Sequence, residues 1–138
     1  MRCLRVFTIA LSGPALAQDL PEVPISSEVA AMMATTVESG DYLQQVSGYA
    51  LDADRDGDLD LIVEVASSPV GGNAVWVVPY VLRNTGGTYE IATKLDINGW
   101  ISGLRLDGEV LTITTTTYLP GDARCCPSGI EVRDFALR

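Results

Sequence analysis

Alternating apolar and polar residues predict β-strands along most of the chain. Residues 59–66 carry Leu or Val at every second position, as expected for a strand with one buried face. Asn98–Gly99 and Asp107–Gly108 are dipeptides typical of tight hairpin turns. Further apolar runs bounded by turn residues are interpreted as strands at residues 42–51, 74–83, 89–95, 104–106, 110–118 and 130–137.

One segment near the N-terminus favours a helix instead. Ser26 or Ser27 can cap a helix that runs through residues 30–33 and ends near Gly40. The order of elements therefore predicts an α+β fold. In it, one N-terminal helix packs on a curved antiparallel β-meander of about six or seven strands.

The start of the chain has the pattern of a cleavable signal peptide. Two arginines precede a short apolar run at residues 6–11, and Ala15–Leu16–Ala17 has the A-x-A pattern of a cleavage site. We therefore expect a signal peptide at residues 1–17 and a single globular α+β domain at residues 18–138 that is periplasmic or secreted. The apolar run is far shorter than the roughly 20 residues that a membrane anchor needs, and we expect no transmembrane segment in the mature chain.

Composition excludes several classes of function. The formal net charge is −9, and this strongly acidic balance does not suit binding to nucleic acid. The chain contains no histidine, which excludes Ser-His-Asp and Cys-His catalysis and imidazole metal sites. An enzyme of this composition would have to use carboxylates, a thiolate or a bound metal.

The densest cluster of chemical groups is an aspartate-rich segment, residues 52–60, which predicts a calcium site. Carboxylates stand at loop positions 1, 3, 5 and 9, glycine stands at position 6, and the residue at position 7 can offer its backbone carbonyl. Calcium binds six to eight oxygens at about 2.3–2.6 Å, whereas magnesium suits a crowded all-protein cage less well. The alternative is a solvated acidic turn without a specific ion. The expected ligands are Asp52, Asp54, Asp56, Asp58 and Asp60.

This segment resembles the D-x-D-x-D-G-x-x-D hairpin loops of FG-GAP repeats, found in integrin-type β-propellers and related bacterial exported proteins. The resemblance implies a structural calcium ion held by the aspartates between two strands. It does not imply a propeller, because the motif occurs once in this chain. An EF-hand does not fit, since Val63 stands where the bidentate glutamate would be and the flanks predict strands.

The mature chain would contain two cysteines, Cys125 and Cys126, which are adjacent. In an oxidising compartment they could form a disulfide with each other, stay as free thiols, or form disulfides to another chain. The neighbouring Arg124 could lower the pKa of a thiol and favour redox chemistry.

The sequence around the cysteines, residues 118–128, is similar to a pattern in small bacterial envelope proteins of the LppP/LprE lipoprotein type. In both, a threonine-rich strand leads into a Cys-Cys-Pro loop near the C-terminus. The resemblance implies an envelope location without defined chemistry. This chain departs from the family because no cysteine follows the apolar run at its start, where a lipid would be attached.

Three hypotheses of function follow. The first is a non-enzymatic, calcium-stabilised exported domain that binds an unknown protein or an envelope component. The second is a thiol-active redox protein that uses the adjacent cysteines. The third is a small inhibitor or assembly protein whose contact is the Cys-Cys-Pro loop. Five aromatic side chains could line a ligand groove or pack in the core and hairpins: Trp76, Trp100, Tyr80, Tyr89 and Tyr118.

Overall fold

The computed structural model describes residues 18–137, so the expected signal peptide lies outside the described residues. The described chain contains one helix and nine strands. In chain order they are β1 (Gln18–Asp19), β2 (Glu22–Val23), α1 (Ser27–Ala34), β3 (Asp41–Leu51), β4 (Asp60–Pro69), β5 (Trp76–Thr85), β6 (Thr88–Lys94), β7 (Ile101–Asp107), β8 (Val110–Thr117) and β9 (Gly129–Ala136).

The strands form two antiparallel sheets, one of five strands in the order β2-β3-β4-β5-β6 and one of four in the order β1-β7-β8-β9. The predicted α+β fold with a single meander is therefore wrong, because the structure is mostly β and its helix spans only 8 residues. The error has a physical cause. Asn98–Gly99 was expected to form a hairpin, but it lies in the connection by which the chain leaves the first sheet for the second.

The apolar side chains form two clusters, one on each face of the five-stranded sheet. On one face, Val29 and Met33 of α1 belong to a cluster with Leu61, Val63 and Val65 of β4. The second cluster joins the two sheets, and it includes residues of β3, β4, β5, β7 and β8. Ser26 caps the N-terminus of the helix, and its Oγ accepts a hydrogen bond from the Val29 amide at 3.2 Å.

Strand β4 is buried on both faces, in contrast to the half-buried strand that its alternating sequence predicts. Glu64 faces the four-stranded sheet at 4% exposure, where its carboxylate accepts a hydrogen bond from the Ile101 amide at 2.5 Å. Burial raises the pKa of Glu64 to about 7; the hydrogen bond from Ile101 opposes this effect, and the charge of Glu22 adds to it. Burial likewise raises the pKa of Tyr49, and the charges of Glu64 and Glu22 contribute.

The first strands link the two sheets. Asp19 of β1 pairs with Arg105 in the four-stranded sheet, whereas Glu22 of β2 pairs with Tyr49 in the five-stranded sheet. We call residues 18–23 the N-terminal strap. Over residues 18–137, no helix is long and apolar enough to cross a membrane.

Candidate functional site

The aspartate loop connects β3 to β4, the hairpin position that the sequence indicates. Gly57 adopts a positive φ of 94°, as expected for the glycine that turns the loop. Arg55 also has a positive φ, of 61°, and its guanidinium lies 3.4 Å from the carboxylate of Glu109. The guanidinium of Arg55 therefore points out of the loop, away from the aspartate cluster.

Three of the five expected ligands converge. One carboxylate oxygen from each of Asp52, Asp54 and Asp60 lies within 4.8 Å of the others, an arrangement that could hold a metal ion. Oδ1 of Asp52 is buried and has no hydrogen-bond partner among the described residues. A buried carboxylate oxygen without a partner is costly, and a cation bound among the three carboxylates would satisfy it.

The remaining oxygens of the cluster are oriented by donors. Asp60 is fully buried; its Oδ2 accepts from the Ala53 amide at 2.8 Å and its Oδ1 from the Asn84 amide at 2.7 Å. Oδ2 of Asp52 accepts from the Gly57 amide at 3.1 Å. Each of these oxygens retains a second lone pair, so the hydrogen bonds orient the carboxylates without preventing them from binding a metal.

Negative charge is concentrated in this cluster. Two carboxylates nearly 5 Å apart repel by about 3 kcal/mol at an effective dielectric constant of 20, and the three residues make three such pairs. Arg83 offsets part of this repulsion, since its Nε lies 3.2 Å from Oδ2 of Asp54. A divalent cation would offset far more, because it would lie close to all three carboxylates at once.

The carboxylates of the other two expected ligands, Asp56 and Asp58, are exposed and lie outside the group of three, while the expected contact of the Asp58 backbone carbonyl stays a prediction. Oδ1 of Asp56 accepts a hydrogen bond from the Asp58 amide at 2.8 Å, so that carboxylate stabilises the turn. Two residues that sequence reasoning missed are Arg83 and Asn84, which reach the loop from β5 by long-range pairing. No local pattern could have identified them.

The second set of expected site residues lies in the loop between β8 and β9. Cys125 and Cys126 are exposed, and the structure joins them by a vicinal disulfide with a Cα–Cα distance of 3.8 Å. Asp122 organises this loop by accepting hydrogen bonds from the Leu119 amide at 2.7 Å and the Ser128 amide at 2.8 Å. The hydrogen bond from the Leu119 amide has the largest effect on the pKa of Asp122, and both bonds lower that pKa.

The five aromatic residues separate into two groups. Tyr80 is buried in the cluster beside the helix, and the hydroxyl of Tyr89 donates to the carbonyl of Leu59 at 3.3 Å. Trp76, Trp100 and Tyr118 are instead exposed and line one cavity. The sequence could not separate the two groups, because their distribution depends on how the sheets meet.

Comparisons of the chain with protein-family models, with curated proteins and with solved structures found no match. The likenesses to FG-GAP loops and to LppP/LprE-type envelope proteins therefore rest on the residues that carry them. What they imply about calcium and about the envelope stays a prediction.

Proposed function

We propose that this protein is a calcium-stabilised, non-enzymatic exported domain that binds a partner or an envelope component. The observation that carries the calcium assignment is the convergence of carboxylate oxygens from Asp52, Asp54 and Asp60, together with an Asp52 Oδ1 that is buried and has no hydrogen-bond partner within residues 18–137. Calcium accounts for this arrangement because it prefers oxygen ligands at about 2.3–2.6 Å and tolerates irregular geometry. Oxygens bound on opposite sides of such an ion are about 5 Å apart, compatible with the 4.8 Å limit of the cluster.

A stabilising role suits the position of the loop better than a catalytic one. Asp60 is fully buried and joins the loop to the end of β5 through the Asn84 amide. An ion held beside it would stabilise the start of β4, the central strand of the five-stranded sheet. The lack of histidine in the chain supports a non-enzymatic role.

Calcium-dependent unfolding tests this assignment. At a free calcium concentration 100 times the dissociation constant, the free energy of unfolding should rise by about 2.7 kcal/mol. Asp54→Asn should abolish the gain, because it removes one converging carboxylate. Asp58→Asn is the matched control, since it changes the same charge outside the group and retains the backbone carbonyl. The metal site is refuted if calcium, magnesium and chelator all leave the free energy of unfolding of the unmodified chain unchanged.

Export rests on the charged and apolar start of the chain and on Ala15–Leu16–Ala17. Intact-mass analysis of the protein from a periplasmic extract should give a chain that begins at Gln18. Recovery of uncleaved protein in the cytoplasm would contradict export.

The alternative function, a thiol-active redox protein, is favoured by one observation: Cys125 and Cys126 are both exposed and therefore accessible to another thiol. A titration of the native protein with a dithiol would separate the two functions. Rapid reduction coupled to the oxidation of a second protein would favour the redox function. A disulfide that exchanges with no protein substrate would favour the binding domain.

A further inference from the structure

A groove of about 520 Å³ lies where the two sheets meet, on the side of the Cys-Cys-Pro loop. The segment 98–100 forms its base and connects the sheets. The Gly99 amide donates to the carbonyl of Val77 in β5 at 3.4 Å, and the carbonyl of Trp100 accepts from the Thr116 amide of β8 at 2.9 Å. The groove is therefore built on the backbone of both sheets, which makes it a preformed feature of the fold.

Glycine is required at the base of this groove. Gly99 has a φ of 103°, and a Cβ atom at this position would collide with the carbonyl oxygen of Thr116. Because the backbone at Gly99 lies so close to that of Thr116, the next residue, Trp100, becomes part of the groove wall.

Three aromatic side chains line the groove, and all are exposed to solvent: Trp76 at 57%, Trp100 at 36% and Tyr118 at 54%. The hydroxyl of Tyr118 donates to the carbonyl of Arg124, which ties the ring to the cysteine loop. Large aromatic faces left in water around one concavity offer apolar area to a ligand.

The cysteine loop forms another part of the wall and is held in place. Arg124 Nη1 donates to Oδ1 of Asn73 at 3.1 Å, which links the loop to the turn between β4 and β5. Cys125 and Pro127 face the groove, so the vicinal disulfide and the proline ring stiffen this wall. A rigid wall reduces the conformational entropy that the loop itself would lose when a ligand binds.

The polar lining of the groove is selective in its chemistry. Asn73, Asn98, Thr116 and Thr117 supply uncharged donors and acceptors, and Arg124 is the one charged residue among the described residues that line it. No Asp or Glu lines the groove, although the chain carries 18 of them. The described structure gives Arg124 no ion pair, which leaves its guanidinium able to bind a carboxylate.

We propose that this groove binds a carbohydrate, and that it prefers one that carries a uronic acid. A sugar ring has apolar C–H faces that suit aromatic planes, and hydroxyl groups on its edge that suit amide and hydroxyl side chains. A carboxylate on the sugar would pair with Arg124, the charged residue that lines the groove in the described part of the chain. A purely apolar ligand would leave the asparagine and threonine groups desolvated without partners.

This inference deepens the binding role in the proposed function and rests on it, but it can fail separately from the calcium site. Trp76 of the groove pairs with Ser67 near the C-terminal end of β4, whereas Asp60 is the first residue of β4. At a rise of about 3.3 Å per residue, the groove lies about 20 Å from the aspartate loop. A variant of one site should therefore leave the other site intact.

The test uses the mature protein on an array of neutral and uronate-containing oligosaccharides, followed by tryptophan fluorescence titration with oligogalacturonate and cellohexaose as soluble probes. We expect uronate-containing glycans to bind. Trp100→Ala should weaken binding about tenfold or more, while Tyr42→Ala, an exposed aromatic outside the groove, should not change it. Arg124→Gln should remove the preference for uronates, whereas Arg105→Gln should retain it.

Circular dichroism and calcium-dependent unfolding of each variant separate loss of binding from loss of fold. Trp100→Ala should retain calcium stabilisation, and Asp54→Asn should retain glycan binding. Binding of neutral glycans alone would uphold the carbohydrate site and overturn the role of Arg124. If no array glycan binds above background and no probe changes the fluorescence, the carbohydrate inference is overturned. This holds whether or not calcium stabilises the protein against unfolding.

Discussion

The buried carboxylate of Glu64 makes the stability of this fold depend on pH in a defined direction. Its pKa is about 7 in the folded protein, against an ordinary value of 4.5, because burial disfavours the charged form. The folded state therefore holds the proton more tightly than the unfolded state. The stabilisation is fully present below about pH 4.5 and is lost as the pH rises through about 7.

The magnitude follows from the two pKa values. At about 1.36 kcal/mol for each pKa unit, ionised Glu64 destabilises the fold by about 3 kcal/mol at pH 8. Glu64→Gln keeps an oxygen that can accept from the Ile101 amide and removes the charge. The variant should therefore exceed the unmodified protein in unfolding free energy by about 3 kcal/mol at pH 8, or roughly 10 °C in melting temperature, and match it at pH 4.

Urea unfolding at both pH values, in calcium-free buffer, measures this difference. Glu38→Gln is the matched control, because it makes the same chemical change at an exposed position and should alter stability little at either pH. The reasoning is refuted if Glu64→Gln gives no gain at pH 8, or if its gain is the same at pH 4.

Three further predictions concern the aspartate loop, the base of the groove and the cysteines. Asp60→Asn should lower the free energy of unfolding by about 1–3 kcal/mol even with chelator present, because its amide nitrogen would face a backbone donor; urea unfolding in chelator measures this. Gly99→Ala should destabilise more than Gly87→Ala in thermal unfolding, since both have positive φ but only the first adds a backbone collision. Unreduced, alkylated periplasmic protein should show no modified thiol at Cys125 or Cys126 by mass spectrometry, and a double Cys→Ser change should alter stability only modestly because the closed loop is minimal. Two alkylated thiols or a linked dimer would contradict the vicinal pairing.

Local patterns in the sequence predicted individual strands well and their assembly poorly. The turn at Asp107–Gly108 connects two neighbouring strands, β7 and β8, as predicted, because hairpin chemistry is contained in a few adjacent residues. Asn98–Gly99 carries the same type of signal and yet connects two sheets. The glycine has a positive φ both in the hairpin at Gly108 and in the connection at Gly99, so the dipeptide alone does not distinguish a hairpin from a connection between sheets.

Strand β4 shows a second limit of the alternating pattern. Polar residues at alternate positions indicated a face in solvent, but Asp60 and Glu64 are buried and accept hydrogen bonds from the backbone amides of Asn84 in β5 and Ile101 in β7. These donors come from residues that only the folded chain brings close. The carboxylate cluster could be predicted for the opposite reason, since its three converging members lie within nine consecutive residues.

The N-terminal strap has a consequence for the order in which the fold forms. The pairing of Glu22 with Tyr49 closes a loop of about 27 residues, whereas that of Asp19 with Arg105 closes one of about 86. Loop-closure entropy then disfavours the second pairing by about 1 kcal/mol relative to the first. Loop closure alone therefore favours pairing of β2 with β3 over pairing of β1 with β7, so the strap is held less strongly at the edge of the four-stranded sheet than at the edge of the five-stranded sheet.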